Sequence, residues 1–203
     1  MNTDFLEQLA SSSPTPGGGG ACAYVGALGS ALASMVGNLT VGKPAYASVE
    51  PEIARSLEKL HSLRQTLLRL VEEDEKAFAP LARAYGLPRQ SEEEKELRTA
   101  AIQEGLVRAS IVPLQIMKTC SEVIIECELM ANKGSKMVLS DAGVGVMFAQ
   151  AALKAASLNV FINTASMQDK REACDFNSQA NALLEKYIKR SDEIFEFVRN
   201  KIG

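Results

Sequence analysis

One carboxylate stands where a helix should be apolar. From Pro51 onward, Ile53, Leu57, Leu60, Leu67, Val71 and Phe78 recur at three- and four-residue steps or their sums. That is one apolar face of a long amphipathic helix. Asp74 lies three residues after Val71 and four before Phe78, on the same face, whereas Glu72, Glu73 and Glu75 lie off it. An inward-facing carboxylate is paired, protonated or functional. The chemistry it offers is proton transfer. The plain alternative is that the helix leaves the core at this point, helped by Pro80.

A second polar set lies in the segment after Ser140. Asp141, Gly145, Phe148, Ala152, Ala156, Asn159 and Asn163 follow steps of four and three, so they share one helical face. Asp141 falls in the first turn, where the helix dipole favours a carboxylate, so capping alone accounts for it. Asn159 and Asn163 flank Val160, Phe161 and Ile162, and buried amides need partners. The eighteen residues from Asp141 to Asn159 span about 27 Å of helix. The two cannot meet one small reacting centre within a single chain. Either they serve opposite ends of a long ligand, or their sites are completed by another subunit.

The third feature is SPTPGGGG followed by a small-residue segment. Residues 18–42 carry no charge and are long enough to span a bilayer. Their Gly, Ala and Ser content, Asn38 and Thr40, and the absence of a basic flank argue against a span. Gly37 to Pro44 reads GNLTVGKP, a near-miss to a phosphate-binding loop. Pro44 replaces the magnesium-binding hydroxyl, and a helix precedes it where a strand should be. The remaining reading is a buried helix in which Cys22, Gly26, Gly29, Ser30, Ala33 and Gly37 let a neighbour approach closely. Gly17, Gly18, Gly19 and Gly20 form either a crowded turn or a helix entrance whose N–H groups line a ligand site. Lys43 is a candidate for an anionic ligand or a surface lysine.

Composition narrows the classes. With 203 residues, 46% of them hydrophobic and 23% charged, the chain fits a single globular domain over 1–203. A net charge of −3 argues against nucleic acid as partner. There is one histidine, His61, and four cysteines without a CxxC, so neither a zinc site nor a histidine triad is expected. Cys120 and Cys127 share a helix face and read as core thiols. No basic leader opens the chain, so a cytoplasmic protein with no membrane association is expected.

The elements that must position these residues are helical throughout. A short helix is expected over 4–10, then the small-residue helix to about Gly42, and a long helix from Pro51 to Gly86, kinked at Pro80. Ser91-Glu-Glu-Glu94 reads as a capping box opening a helix over 92–133, kinked at Pro113. Helices over about 140–167 and 169–200 follow. No segment has a period of two. The expected fold is an all-α bundle of long, kinked antiparallel helices.

Three stretches, SPTPGGGGACAYVGALGSALASMVGNLTVGK, EEDEKAFAPLARAYGLPRQSEEEKELRTAAIQEGLVRASIVPL and SDAGVGVMFAQAALKAASLNVFINTASMQD, occur in this order. Together they resemble the formiminotetrahydrofolate cyclodeaminase / methenyltetrahydrofolate cyclohydrolase family, from about Phe5 to Asp169. The resemblance implies an all-helical homodimer in the stand-alone bacterial form, acting on small-molecule tetrahydrofolate derivatives with no further cofactor. It carries over Gly17 to Gly20, Thr40, Asp74, Asp141, Asn159 and Asn163 as functional positions. The family usually reads Gly-Asn before the SDA element, where this chain has Gly134-Ser135.

Both family reactions meet at the methenyl bridge between the 5- and 10-nitrogens. Either the 10-nitrogen attacks a formimino carbon and ammonia leaves, or water opens the bridge to 10-formyltetrahydrofolate. A base and then an acid suffice, with no metal required. Asp74 or Asp141 is expected to carry the proton, and Asn159 and Asn163 to orient the ring. The glycines then approach the ligand through backbone, and Lys43 meets the glutamate tail. A non-catalytic folate-binding or helical scaffold protein is the competing expectation.

Overall fold

The structure, a computed structural model, describes residues 3–203. Among these the regular elements are all helical: α1 (Thr3–Leu9), α2 (Gly18–Asn38), α3 (Glu50–Tyr85), α4 (Glu92–Lys133), α5 (Leu139–Ala165) and α6 (Lys170–Ile202). Short 3-10 turns cover Pro44–Tyr46 and Lys136–Val138.

Cross-helix contacts fix the directions. Ser30 Oγ donates to the Leu60 carbonyl and the Gly20 N–H to Asp74, so α2 and α3 are antiparallel. Ser56 pairs with Glu126, while Gly105 abuts Leu81, so α3 and α4 are antiparallel. Gly18 faces Asn159 and Gly29 faces Gly145, which makes α2 and α5 antiparallel as well. Thr164 meets Asn177, and Gln150 meets Asp192, so α6 returns along α5. Thus α2, α4 and α6 run one way and α3 and α5 the other.

Helix α2 is the buried hub, packed against α3, α4 and α5. Its small residues are required by distance. A Cβ added at Gly26 would lie 2.7 Å from Cys120 Sγ, at Gly29 2.8 Å from the Gly145 carbonyl, and at Gly37 2.8 Å from Leu57. Such close approach is what small residues permit. Both α2 and residues 136–165 are long and apolar enough to cross a membrane, each with mean hydropathy 1.4. In α2 that character is explained by packing, since 61% of the apolar window is buried in the bundle. The core is aliphatic, with Ile53, Leu60, Leu67, Ile116, Met117, Ile124, Met130 and Leu153 fully buried.

The expected capping box is present. Ser91 Oγ accepts the Glu94 N–H at 3.1 Å and Glu94 Oε2 accepts the Ser91 N–H at 3.2 Å. Asp169 caps α6 by accepting the Arg171 and Glu172 N–H groups. Helix α2 ends at Asn38, four residues before the expected end at Gly42. The backbone there folds onto itself, with the Thr40 and Val41 N–H groups both donating to the Gly37 carbonyl. The Gly42 N–H is taken by Glu50, and Gly42 has φ +78°. The backbone of this P-loop-like segment is therefore engaged in a turn. Helices α3 and α4 each continue through their internal proline, Pro80 and Pro113.

Candidate active site

The site is built where α2 begins. Gly17, the N-cap of α2, has no side chain with which to cap it. The first N–H groups of a helix have no internal partners. Asp74, reaching from α3, supplies what the cap lacks: its Oδ2 accepts the Gly20 N–H at 3.0 Å. A carboxylate is favoured at this end of the helix dipole. Gly19 is the price of that approach, because any Cβ there would overlap the Asp74 carboxylate. Gly17 and Gly18 differ: added Cβ atoms would stand 3.9 Å and 3.5 Å from their nearest neighbours, ordinary contacts.

Asp74 lies half-buried on the apolar side of α3, as its spacing from Val71 and Phe78 predicts. Burial raises its pKa above the usual carboxylate value; the Gly20 N–H opposes the rise and the neighbouring Glu75 charge adds to it. Such a group exchanges a proton closer to neutral pH than a solvated aspartate does. Cys22 lies nearby, but burial, reinforced by the Asp74 charge, pushes its thiol to about 11. It is therefore a protonated thiol at neutral pH and a poor nucleophile.

A cavity of about 240 Å³ opens beside the carboxylate. Pro14, Thr15, Gly17, Gly18 and Gly19 form one wall, Asp74 and Phe78 a second, Ala109 and Pro113 a third, and Asn159, Ile162 and Asn163 the fourth. Four stretches that are distant in sequence thus converge. Asp74, Asn159, Asn163 and three of the four glycines come together, as their types and spacing suggest. Gly20 serves through its N–H to Asp74. Phe78, Ala109, Pro113 and Ile162 carry no signal of a cavity wall in the sequence, because apolar residues on a helix read equally well as core.

Thr40, Lys43 and Asp141 lie outside this cavity, near the opposite ends of α2 and α5. The Thr40 hydroxyl is fully buried. It donates to the Val36 carbonyl at 2.7 Å and accepts the Ser135 N–H at 2.8 Å, tying α2 to the turn before α5. Lys43 Nζ donates to Ser135 Oγ at 3.2 Å. The Tyr46 hydroxyl accepts the Lys136 N–H at 3.1 Å. That bond, opposed by desolvation and helped by Ser135, Lys136 and Lys43, lowers the Tyr46 pKa. Asp141 sits in the first turn of α5. Two polar ends therefore exist, the carboxylate pocket and an end carrying Lys43, Lys136 and Asp141, with the length of α5 between them. Among the described residues no group of three or more His, Cys, Asp or Glu side chains is placed to hold a metal.

Fold and pocket define a helical-bundle protein with a half-buried carboxylate of raised pKa at a glycine-built helix entrance. The chain belongs to the formiminotransferase-cyclodeaminase family, whose match spans residues 1–182. It is 46% identical over 199 residues to a methenyltetrahydrofolate cyclohydrolase of Methylorubrum extorquens, covering 98% of this chain and 96% of that protein. It is 36% identical over 165 residues to the formimidoyltransferase-cyclodeaminase of Rattus norvegicus, covering 81% of this chain and 30% of that longer protein. The crystal structure of a formiminotetrahydrofolate cyclodeaminase from Thermotoga maritima superposes with a TM-score of 0.82 at 29% identity, covering 99% of this chain and 94% of that one.

Proposed function

We propose that this protein is a one-carbon folate enzyme working at the 5,10-methenyltetrahydrofolate node, and that its principal reaction is hydrolysis of the methenyl bridge to 10-formyltetrahydrofolate. The carrying observation is Asp74, a half-buried carboxylate of raised pKa held at a cavity edge by the Gly20 N–H. The choice of hydrolysis rests on the cyclohydrolase relative, which is similar along nearly all of both chains. A second reading, cyclisation of 5-formiminotetrahydrofolate with loss of ammonia, is favoured by the Thermotoga maritima cyclodeaminase of the same fold.

The cationic methenyl bridge is drawn to the carboxylate. Asp74 takes a proton from water as the oxygen bonds to the bridging carbon, giving a tetrahedral centre. The bond from that carbon to the 5-nitrogen then breaks as the nitrogen receives the proton of the Asp74 carboxylic acid. The hydroxyl, becoming the formyl carbonyl, gives up its own proton to the Asp74 carboxylate, from which it passes to solvent. General acid–base help of this kind contributes about 10²–10⁴ in rate. Asn159 and Asn163 orient the ring, and Gly17 to Gly19 let it lie against backbone. For cyclisation Asp74 takes the proton of the attacking 10-nitrogen and delivers it to the amino group of the tetrahedral carbon, which leaves as ammonia.

The working unit in this reading is a homodimer formed through α2 and α5. Val144, Phe148, Ala151, Ala155, Leu158 and Ile162 make an exposed apolar stripe along α5, with Leu158 at 69% and Ile162 at 68%. Leu28 and Met35 of α2 are exposed too, and the Phe148 Cβ lies against Gly29, next to Leu28. Ile162 also lines the pocket, so the stripe runs into its mouth. At the other end, exposed Leu39, Val41 and Met137 adjoin Thr40, Lys43 and Lys136. A second copy is the fitting occupant because the ends are complementary. A twofold axis along the helices would set lysines against lysines, whereas one across them sets Lys43 and Lys136 of each copy over the partner's Asp74 pocket. A 240 Å³ cavity is smaller than the ~300–1,000 Å³ typical of ligand sites, and the partner supplies the missing wall. In that arrangement Lys43 meets the glutamate tail and Asp141 approaches the site from the partner.

Purified protein given each folate separately tests the reading. Loss of methenyltetrahydrofolate absorbance above the uncatalysed rate supports hydrolysis; its appearance from the formimino compound supports cyclisation. Binding of folate without either reaction would leave a scaffold or carrier and overturn the enzyme.

A further inference from the structure

Pro113 lies in the interior of α4, is buried, and forms part of the pocket wall. Proline has no N–H, so the carbonyl four residues earlier, that of Ala109, loses its helical donor. Ala109 is 5% exposed, and a buried carbonyl requires a partner. The partner comes from α5: Asn163 Nδ2 donates to the Ala109 carbonyl at 2.8 Å. A carbonyl can only accept, so this bond fixes which end of the Asn163 amide faces α4. The nitrogen is held there. The opposite end, Oδ1, has no protein partner among the described residues and is not among the buried unpartnered atoms. Ala109, Pro113 and Asn163 line the same cavity.

We infer that Pro113 is a positioning residue that sets the polarity of the pocket: by freeing the Ala109 carbonyl it locks Asn163 with its oxygen available to the ligand. Asn163 is then an acceptor, and the ligand edge it meets is a donor, an N–H or amino group of a nitrogen heterocycle. A carbonyl or carboxylate edge is rejected at that position, because no donor turns to meet it. This rests on the folate reading above, since a reduced pterin ring carries such N–H and amino donors. It goes beyond that reading in assigning the amide's orientation and the proline that enforces it. Elsewhere in the bundle buried hydroxyls serve helical carbonyls, as Ser110 does for Leu106, but those carbonyls are not deprived of a donor by proline.

The test uses Pro113→Ala, Asn163→Leu and the double variant. Pro113→Ala returns an N–H to the Ala109 carbonyl and releases the Asn163 amide to turn over. The expected result is a KM for the folate substrate raised ~10-fold, with kcat within about threefold, for one lost neutral hydrogen bond. Asn163→Leu should show a loss of similar size, and the double variant no more than Asn163→Leu alone, since both act through one side chain. Multiplying effects on KM would overturn the assignment. Should the wild type turn over neither folate, the functional reading fails while this one is still read by two other signals. These are slowed exchange of the Asn163 side-chain amide hydrogens, lost in Pro113→Ala, and calorimetric affinity for a free reduced pterin, weakened in both single variants. Fast Asn163 exchange in the wild type, or unchanged pterin affinity in Pro113→Ala, contradicts the proposal.

Discussion

The Asp74 carboxylate closes the amino end of α2 from outside the helix, accepting the Gly20 N–H at 3.0 Å across 54 residues of sequence. The same carboxylate occupies the space a side chain at Gly19 would need. One residue therefore both caps the glycine helix and faces the cavity. The glycines and the aspartate form a single device.

This device separates the glycines experimentally. Gly19→Ala should displace Asp74 and lower turnover about 100-fold, the loss expected of a catalytic group moved by about 1 Å. Gly18→Ala, whose Cβ makes an ordinary 3.5 Å contact with Asn159, should fold normally and stay within about tenfold of wild type. Steady-state rates of the two variants decide this. Equal losses would mean that the glycines act through flexibility rather than through space.

Two pH effects follow from the raised Asp74 pKa. An acid with a higher pKa folded than unfolded makes the native state the better proton binder. Its contribution to stability is most favourable below the unfolded value of about 3.9, falls as pH rises from there through the raised folded value, and is constant above it. Asp74→Asn should abolish that decline in chemical-denaturation curves measured against pH. As base, Asp74 should also give kcat/KM an acidic limb whose midpoint lies above the usual carboxylate range. A midpoint at or below about 3.9 would remove it from that role.

The exposed stripe on α5 gives a third prediction. Leu158 is 69% exposed and lies outside the pocket. Leu158→Asp should leave helicity unchanged, halve the mass seen by light scattering, and reduce turnover at least tenfold, because placing a charge in an apolar interface core is strongly unfavourable. Monomeric wild-type protein with full activity would contradict the dimer.

Much of this arrangement can be read from the chain, and what cannot has a physical reason. Asp74 stands out because a helix imposes a 3.6-residue period, and the order of apolar residues from Val71 to Phe78 exposes the exception. Asn159 and Asn163 stand out likewise. The capping box at Ser91 is legible because both partners lie within four residues. The link from Ala109 to Asn163 is not legible, since it joins residues 54 apart and becomes necessary only when Pro113 removes a donor. Thr40 could be marked as polar near a helix end, but its bond to the Ser135 N–H, 95 residues on, reveals it as a tether between segments. The segment after Gly37 resembles a phosphate loop in sequence because spacing carries no information on where N–H groups point. Here they point into the turn itself.

The most direct measurement is turnover by Asp74→Asn with methenyltetrahydrofolate and, separately, with formiminotetrahydrofolate. The amide is nearly isosteric and retains an oxygen for the Gly20 N–H, so circular dichroism and melting temperature should remain close to wild type. Activity on whichever folate the wild type converts should fall by roughly 10²–10⁴, the range for a lost general acid–base. A folded Asp74→Asn protein that keeps wild-type turnover would contradict the account.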